Sequence, residues 1–178
     1  TSESTSTTEE DADETSETTS DAFTTGEVIK LACHGGEAAD APCKAVYYYG
    51  ADGKRHAFPN EKVYFTWYDD FDDVVTISDD AMSDITLGKN VTYHPGSRMV
   101  KFVTVHTVYV VDADGSLRPV ASEAAAIDLY GDDWNTHIDD ISDAFYGNYT
   151  RSTDAVNGVE DFDPVAVYNA VDSIDDIL

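Results

Sequence analysis

Two cysteines, Cys33 and Cys43, bracket the polar loop HGGEAADAP, which also holds His34. A cysteine pair can form a disulfide or, with His34, contribute ligands to a metal site. One cysteine pair and one histidine supply too few ligands, at the wrong spacing, for a tetrahedral zinc site. A disulfide that closes so short a loop stabilises the fold by about 3 kcal/mol or less. The sequence therefore predicts a Cys33–Cys43 disulfide and an oxidising environment.

Aspartates are the second group of residues whose type could support a chemical function, because carboxylates are among the oxygen ligands that calcium prefers. The segment DADG contains Asp112 and Asp114, and a second acidic cluster contains Asp69 and Asp70. An EF-hand loop has Gly at its sixth position and Glu at its twelfth, whereas here the Gly is fourth and the twelfth residue, Glu123, suits a helix start. We interpret these aspartates as hairpin turns and solvated faces without a cofactor. Calcium binding remains the alternative.

Motifs of known catalytic centres are absent from the sequence. Its five histidines share no i, i+4 spacing, and there is no HExxH, GxSxG, phosphate-loop or GxGxxG motif. Carboxylate pairs occur throughout the chain, so none of them indicates glycoside hydrolysis. The sequence predicts a protein that is not an enzyme.

Glycosylation is a further chemistry that the sequence allows. Two sequons begin at Asn90 and Asn148, and each lies near the end of one of the two repeats described below. Thr5, Thr7 and Thr8 lie in a Ser/Thr-rich stretch of the kind that carries O-linked glycans. These five residues are the glycosylation candidates.

Aromatic side chains are concentrated in one part of the chain, between residues 47 and 71. Their spacing suits either a sugar-binding face or core packing with cross-strand pairing, and the sequence leaves both open. The cluster consists of Tyr47, Tyr48, Tyr49, Tyr64, Phe65, Trp67, Tyr68 and Phe71.

The charge of the chain argues against several classes of partner. Of its 178 residues, 36 are Asp or Glu and 10 are Lys or Arg, which gives a net charge of −26. Such acidity disfavours nucleic acid and anionic membranes, both of which select basic surfaces. No apolar run reaches the roughly 20 residues that span a bilayer. An apolar fraction of 42% is nevertheless enough for a folded core.

Residues 1–25 form an acidic Ser/Thr-rich arm. Its first 22 residues contain eight acids, no base and no apolar side chain larger than Ala, so nothing offsets the entropy of ordering them. The arm is a flexible spacer, a glycosylated stalk or a segment that orders against a neighbouring subunit. The chain starts with Thr and shows no signal peptide, which indicates a processed or excised chain.

An internal repeat organises most of the remaining chain. Residues 46–68 and 108–130 align without gaps at an offset of 62, with seven identical positions and a shared apolar pattern. The similarity extends in both directions. Residues 26–96 therefore form repeat 1, with the cysteine-bracketed loop as an insertion, and residues 97–150 form repeat 2.

Each repeat has the same local pattern. Two apolar strands come first, and Asp-Gly then predicts a hairpin turn to a third strand. Asn60 and Ser122, each followed by Glu, predict the starts of helices of about ten residues. A fourth strand and a short acidic helix follow, the latter capped by Ser78 or Ser142. The predicted fold is α+β, with two tandem β-β-β-α-β-α repeats packed together, an extended N-terminal arm and a C-terminal helix.

Residues 151–178 lie outside the repeat and are predicted to contain an amphipathic helix that starts at Asp163-Pro164. This helix either packs on its own domain or docks on a neighbouring subunit. Its apolar stripe, together with Phe23 from the arm, gives the candidates for subunit contacts. The stripe consists of Val165, Tyr168, Val171, Ile174 and Leu178.

The strings AVYYYGADGKRHAFPNEKVYFTWYDDF, LGKNVTYHPGSRMVKF and ISDAFYGNYT carry a family resemblance. Over about residues 27–150 the chain resembles, in order and spacing, a repeat family of bacterial cell-surface proteins found in candidate-phylum bacteria. The resemblance implies secretion, and the family's module often sits beside surface or calcium-type repeats. The family has no assigned catalytic residues, so the resemblance implies none here. The arm, the cysteine-bracketed loop and the C-terminal segment lie outside it.

These observations predict an extracellular structural subunit of a filament or cell-surface layer, which associates with itself through its terminal segments. The alternative is a module that binds glycans or the cell wall through its aromatic face. The predicted location is extracellular in both cases.

Overall fold

The first part of the fold is built on a four-stranded sheet, sheet 1. The computed structural model describes residue 19 and residues 22–178. The strands of sheet 1 are β1 (Val28–Leu31), β2 (Val46–Tyr49), β3 (Arg55–Ala57) and β4 (Val75–Ile77), in the order β3-β2-β1-β4. β1 pairs antiparallel with β2 and parallel with β4, and β2 pairs antiparallel with β3.

Sheet 2 has the same strand order and the same pairing directions. Its strands are β5 (Met99–Phe102), β6 (Val108–Val111), β7 (Leu117–Pro119) and β8 (Ile138–Ile141), in the order β7-β6-β5-β8. β5 pairs antiparallel with β6 and parallel with β8, and β6 pairs antiparallel with β7. The predicted α+β class is confirmed. We call the part built on sheet 1 unit 1 and the part built on sheet 2 unit 2.

The two Asp-Gly pairs form the hairpin turns of the two units. Gly53 (φ +73°) and Gly115 (φ +74°) adopt the left-handed backbone conformation that glycine accepts without a steric penalty. In each turn the aspartate side chain accepts a hydrogen bond from the N–H two residues further on, at 3.0 Å for Asp52 and 2.9 Å for Asp114. Local sequence alone therefore determines where the second strand turns back.

The first helix of each unit begins at its predicted cap. The Asn60 side chain accepts the Val63 N–H and begins α1 (Glu61–Tyr64), and the Ser122 side chain begins α3 (Glu123–Tyr130) in the same way. The expected length of about ten residues is wrong for α1, which has four. The Thr66 hydroxyl donates to the Val63 carbonyl at 2.7 Å, and such a local bond competes with continued helix.

The second helix differs between the units. In unit 1, Ser78 caps α2 (Asp79–Asp84), as predicted. In unit 2, Ser142 caps a 3₁₀ helix, Asp143–Asn148, instead of the expected α-helix. Gly147 and two aromatic residues in this six-residue segment have low helix propensity. Within the described residues, no helix is long and apolar enough to cross a membrane.

After the last helix of each unit, the chain runs back alongside the third strand, and we call these stretches the returning segments. Leu87 forms a parallel bridge with Arg55 on β3, and Arg151 forms the corresponding bridge with Leu117 on β7. Further along, Val156 bridges to Val120, and its N–H donates to the Pro119 carbonyl. Unit 2 thus extends past residue 150, the predicted end of repeat 2.

The C-terminal segment is not one amphipathic helix, so that prediction is corrected. Helix α4 (Pro164–Asn169) starts at the predicted Asp163 cap, and a separate 3₁₀ helix follows at Ile174–Ile177. Ser173 starts the second helix, because its side chain accepts the Asp175 N–H while the Asp176 carboxylate accepts the Ser173 N–H.

The end of the chain packs against the hairpin turns of both units. Asp175 accepts hydrogen bonds from the Tyr48 hydroxyl at 2.7 Å and from the Ala51 N–H at 2.9 Å, both in unit 1. Ile177 lies beside Gly115 in unit 2, where a Cβ on the glycine would be 3.2 Å from the Ile177 Cβ. The tail therefore ties the two turns together.

Candidate functional site

The two units pack on each other through different faces of their sheets. We call the face covered by α1 or α3 the helix face, and the other side the back face. Tyr48 and Val63 lie on the helix face of unit 1. Val100 and Phe102 lie on the back face of unit 2, and all four side chains are buried in one cluster. This cluster is the interface between the units.

Strand register shows that the two contacting faces are not equivalent. Val100 pairs with Tyr109 as Ile29 pairs with Tyr47, so Val100 and Ile29 hold the same position in the two sheets. Ile29 lies in a different cluster, on the back face of unit 1. The units therefore stack head to tail. Repeat proteins stack in this way, because each unit buries its apolar face against the next.

A buried carboxylate connects the two units. Asp139 on β8 is only 7% exposed, and its Oδ1 accepts a hydrogen bond from Lys62 Nζ of unit 1 at 2.8 Å. Arg98 Nε lies 2.8 Å from the other carboxylate oxygen. Burial raises the pKa of the nearby Tyr93 hydroxyl, and the Asp139 charge adds to this effect. Two cations thus lie beside this buried carboxylate at the interface.

The helix face of unit 2 forms the far end of the stack, and the C-terminal segment covers it. Phe162 and Val167 pack there on Met99, Val110 and Ala126. The Val159 N–H also donates to the Asp128 carboxylate of α3 at 2.8 Å. Exposed apolar side chains remain on α3 and the C-terminal segment, namely Ile127, Val159, Val165 and Tyr168.

The back face of unit 1 forms the near end of the stack. Ile29 and Ile77 of the sheet pack there on Met82 of α2. Partly buried aromatic side chains border this cluster, namely Phe23, Tyr47 and Tyr49. Leu87, beside β3, is 57% exposed. No part of unit 2 covers this end within the described residues, because unit 2 stacks on the opposite face.

The predicted subunit-contact residues divide into three groups. Val165 and Tyr168 are exposed, as a contact residue must be. Val171 and Ile174 are buried inside the chain, so they are not available to a second subunit and that prediction is corrected. The remaining two are partly buried: Phe23 packs edge-on against Tyr49, and Leu178 packs on the interface cluster.

The predicted disulfide is present between Cys33 and Cys43, with 5.3 Å between the two Cα atoms. Inside the loop, Glu37 accepts hydrogen bonds from the N–H groups of His34 and Gly35. The Glu37 backbone N–H, followed by those of His34 and Gly35, lowers the pKa of the Glu37 carboxyl. The two sulfurs and Glu37 lie close together, but sulfurs joined in a disulfide are not thiolate ligands. The disulfide is consistent with a secreted protein.

The glycosylation candidates are not equally accessible. The Asn148 Nδ2 atom, which would carry a glycan, is buried and has no hydrogen-bond partner. A glycan there would have to displace the packing around it. Asn90 is partly buried, and both Asn90 and Asn148 line one small cavity of about 210 Å³. Thr5, Thr7 and Thr8 lie outside the described residues.

The aspartates considered for calcium take part in local bonds. Asp112 lies 3.3 Å from Arg118, and Asp114 accepts the backbone bond in its hairpin turn. The Ser116 side chain, and after it the Ser116 backbone N–H, lowers the pKa of Asp114. Asp70 accepts the Asp72 N–H. Among the described residues, none of these aspartates belongs to a group of three clustered His, Cys, Asp or Glu ligands.

Most of the aromatic cluster belongs to the core. Tyr48 and Tyr64 are each 3% exposed. The Trp67 indole donates to the Thr92 carbonyl at 2.8 Å. Only Phe65 and Phe71 keep large exposed areas. Most of these aromatic rings therefore take part in packing.

The sequence interpretation missed Lys62 and Asp139, which link the units. A signal was present, because Asp139 pairs with Val100 at the position where Val75 pairs with Ile29 in unit 1. A carboxylate in place of an apolar strand residue indicates a partner of opposite charge. Comparison with protein-family models, curated proteins and solved structures gives no match to this chain.

Proposed function

We propose that this chain is an extracellular structural subunit that assembles head to tail into a filament or cell-surface layer. The observation that supports this function is the stacking of unit 1 on unit 2 through non-equivalent faces. Contacts between two different faces leave a free face at each end, and they produce open arrays when they do not close into a ring. Because the C-terminal segment covers the helix face of unit 2, a contact between chains joins this covered far end of one chain to the near end of the next.

The ends of the stack carry the groups that such a contact needs. Ile127 and Val159 are exposed and adjacent at the far end, since Val159 is hydrogen-bonded to α3. Leu87 is exposed at the near end beside Arg55 of β3, and Tyr47 and Tyr49 are partly buried at this end. These surfaces are small, so the proposed contact is weaker than the interface inside the chain.

Charge sets the conditions for assembly. Each chain carries a net charge of −26, so copies repel one another at low ionic strength. Salt at about 0.15 M screens charges beyond about 8 Å and allows apolar ends to approach. We therefore expect assembly to increase with salt concentration. The disulfide supports the extracellular part of the proposal.

The test compares two single substitutions by sedimentation and electron microscopy over a range of salt concentrations. Ile127→Glu places a charge on the far end and is expected to abolish assembly. Val103→Glu is the matched control, because Val103 is exposed in the turn between β5 and β6 and belongs to neither end cluster. This variant is expected to assemble like the unmodified chain.

Two results would overturn the proposal. One is an unmodified chain that stays monomeric at every salt and protein concentration. The other is assembly of the Ile127 variant to the same extent as the Val103 variant. Circular dichroism of both variants shows that the comparison is between folded chains.

A further inference from the structure

A groove of about 610 Å³ opens between the cysteine-bracketed loop and α1. Its floor is apolar and includes Val46 of β2 and Phe58 after β3. The Asn60 cap and Glu61 form one rim, and Lys44 lies on the other. Phe71 completes the wall, with one face stacked on Tyr64 at 4.3 Å between ring centroids. We call this groove 1.

Unit 2 has a groove at the same place, of about 340 Å³, which we call groove 2. Seven positions of groove 1 recur in it at the repeat offset of 62 residues, and an aromatic wall residue recurs at an offset of 63. Lys44, Ala45, Val46, Phe58, Asn60, Glu61, Tyr64 and Phe71 of groove 1 correspond to His106, Thr107, Val108, Val120, Ser122, Glu123, Ala126 and Trp134 of groove 2.

The two grooves present the same kinds of chemical groups, although several of their lining residues differ in identity. Each has an apolar floor, a rim with a carboxylate and a hydrogen-bonding cap residue, and an aromatic wall. The wall is repacked in a coordinated way: Tyr64 beside Phe71 in groove 1 is replaced by Ala126 beside the larger Trp134 in groove 2. Burial raises the pKa of Tyr64 to about 12, so its hydroxyl stays neutral and donates to the Asp70 carbonyl.

We propose that these two grooves are binding sites for neutral saccharide chains. A sugar ring has an apolar face of C–H groups, which packs on an aromatic ring, and a rim of hydroxyl groups. Carboxylates such as those of Glu61 and Glu123 accept hydrogen bonds from hydroxyl groups, and charge-assisted bonds of this kind are strong. Sites of this type combine an apolar surface with a few polar groups that fix orientation.

Two further observations favour a neutral saccharide over other ligands. The net charge of −26, with a glutamate in each groove, repels anionic polymers. One way in which an extended peptide binds is by adding to a free strand edge. The third strand beside each groove has its outer edge occupied, because Val91 and Val156 hydrogen-bond to the carbonyls of Ala57 and Pro119. The grooves therefore present side chains to a ligand and no free strand edge, and this suits a saccharide.

Isothermal titration with neutral N-acetylhexosamine and hexose oligomers tests this proposal, with uronic-acid oligomers as anionic probes. We expect two sites per chain for one of the neutral probes. Phe71→Ala and Trp134→Ala should each weaken one site at least tenfold and leave one site intact. The control is Phe65→Ala, because Phe65 is exposed and contacts Phe71 but does not line the groove.

Glu61→Gln and Glu123→Gln are second variants for the two sites, since they keep the side-chain size and the apolar packing. Each should weaken its own site. The proposal is overturned if no neutral probe binds, if the Phe71 and Trp134 variants retain two sites, or if uronic-acid oligomers bind as tightly as neutral ones. Head-to-tail assembly is measured separately by sedimentation, so either result stands without the other.

Discussion

Lys62 of unit 1 and Asp139 of unit 2 form an ion pair across the unit interface, with 2.8 Å between Nζ and Oδ1. The Lys62 side chain is 62% exposed, whereas that of Asp139 is 9% exposed and also lies beside Arg98. The buried carboxylate of Asp139 therefore contributes more to stability than the exposed ammonium group of Lys62. We expect Asp139→Asn to lower the free energy of unfolding by about 1–3 kcal/mol, because Arg98 loses its charged partner. Urea denaturation measures this loss.

The neighbouring Asp140 on the same strand provides the control. Asp140 is exposed and lies 3.2 Å from Lys101. Exposed ion pairs of this kind contribute less than about 1 kcal/mol, so Asp140→Asn should have a small effect. Equal losses in the two variants would contradict the role given to Asp139.

Gly96 allows α4 to pack on the segment between the units. A Cβ at Gly96 would lie 2.3 Å from the Pro164 carbonyl oxygen and 2.6 Å from the Tyr168 nitrogen. Gly96→Ala should therefore displace α4 and remove Tyr168 from its stack on His94, where the ring centroids are 4.1 Å apart. Fluorescence reports this change, because Trp67 contacts the other side of His94.

Gly53→Ala is the control for Gly96→Ala, because it introduces the same backbone strain without a steric clash. Gly53 has a φ of +73°, compared with +72° for Gly96, but a Cβ at Gly53 would have no neighbouring atom within 4 Å. This control should lose only the roughly 1–2 kcal/mol that the left-handed conformation costs an ordinary residue. A Gly96 variant no less stable than the Gly53 variant would show that α4 does not depend on the close approach.

Alkaline pH should destabilise the fold through its buried tyrosines. Burial raises the pKa of Tyr64 from 10.0 to about 12. It also raises the pKa of five other tyrosines, namely Tyr48, Tyr68, Tyr93, Tyr130 and Tyr149. Their stabilising effect is complete below pH 10, the unfolded value, and is lost as the pH rises towards the folded values.

The free energy of unfolding should fall by up to about 1.4 kcal/mol per tyrosine for each pH unit above the unfolded pKa. Tyrosinate absorbance and circular dichroism, followed together, measure this loss. Tyr64→Phe should make the fall less steep. Full ionisation of the eleven tyrosines before any loss of structure would contradict the burial of these hydroxyls.

The Cys33–Cys43 disulfide supports groove 1 but not groove 2. Lys44, which follows Cys43, lies on the rim of groove 1, and residues 39–41 of the same loop also line it. Replacing both cysteines with Ser should cost about 3 kcal/mol of stability or less. Saccharide affinity should fall in groove 1 alone, and groove 2 is the control within the same chain. Equal weakening of both sites would contradict this relationship.

Local features of the fold were predictable from sequence, because their causes lie within a few residues. Asp52-Gly53 and Asp114-Gly115 determine the turns, and Asn60 determines a helix start. The disulfide was predictable for the same reason. The offset of 62 residues also anticipated the matching strand order of the two sheets.

Features that depend on distant residues were not predictable. The burial of Ile174 depends on Asp175 reaching Tyr48, 127 residues away in sequence. The apolar spacing of the C-terminal segment therefore suggested one helix where two short ones form. The choice of sheet faces for stacking, which supports the proposed function, depends on Val100 meeting Tyr48, and no local pattern indicates it.

The returning segments also affect how copies of the chain can aggregate. They cover the outer edges of β3 and β7, so β4 and β8 are the edge strands left open among the described residues. Both are short, and aspartates lie in or next to them, including Asp73, Asp79 and Asp140. Short, charged edges resist the strand addition that leads to amyloid-like aggregates. Some of the acidic residues of the chain thus lie at the open strand edges, where uncontrolled strand pairing between copies would begin.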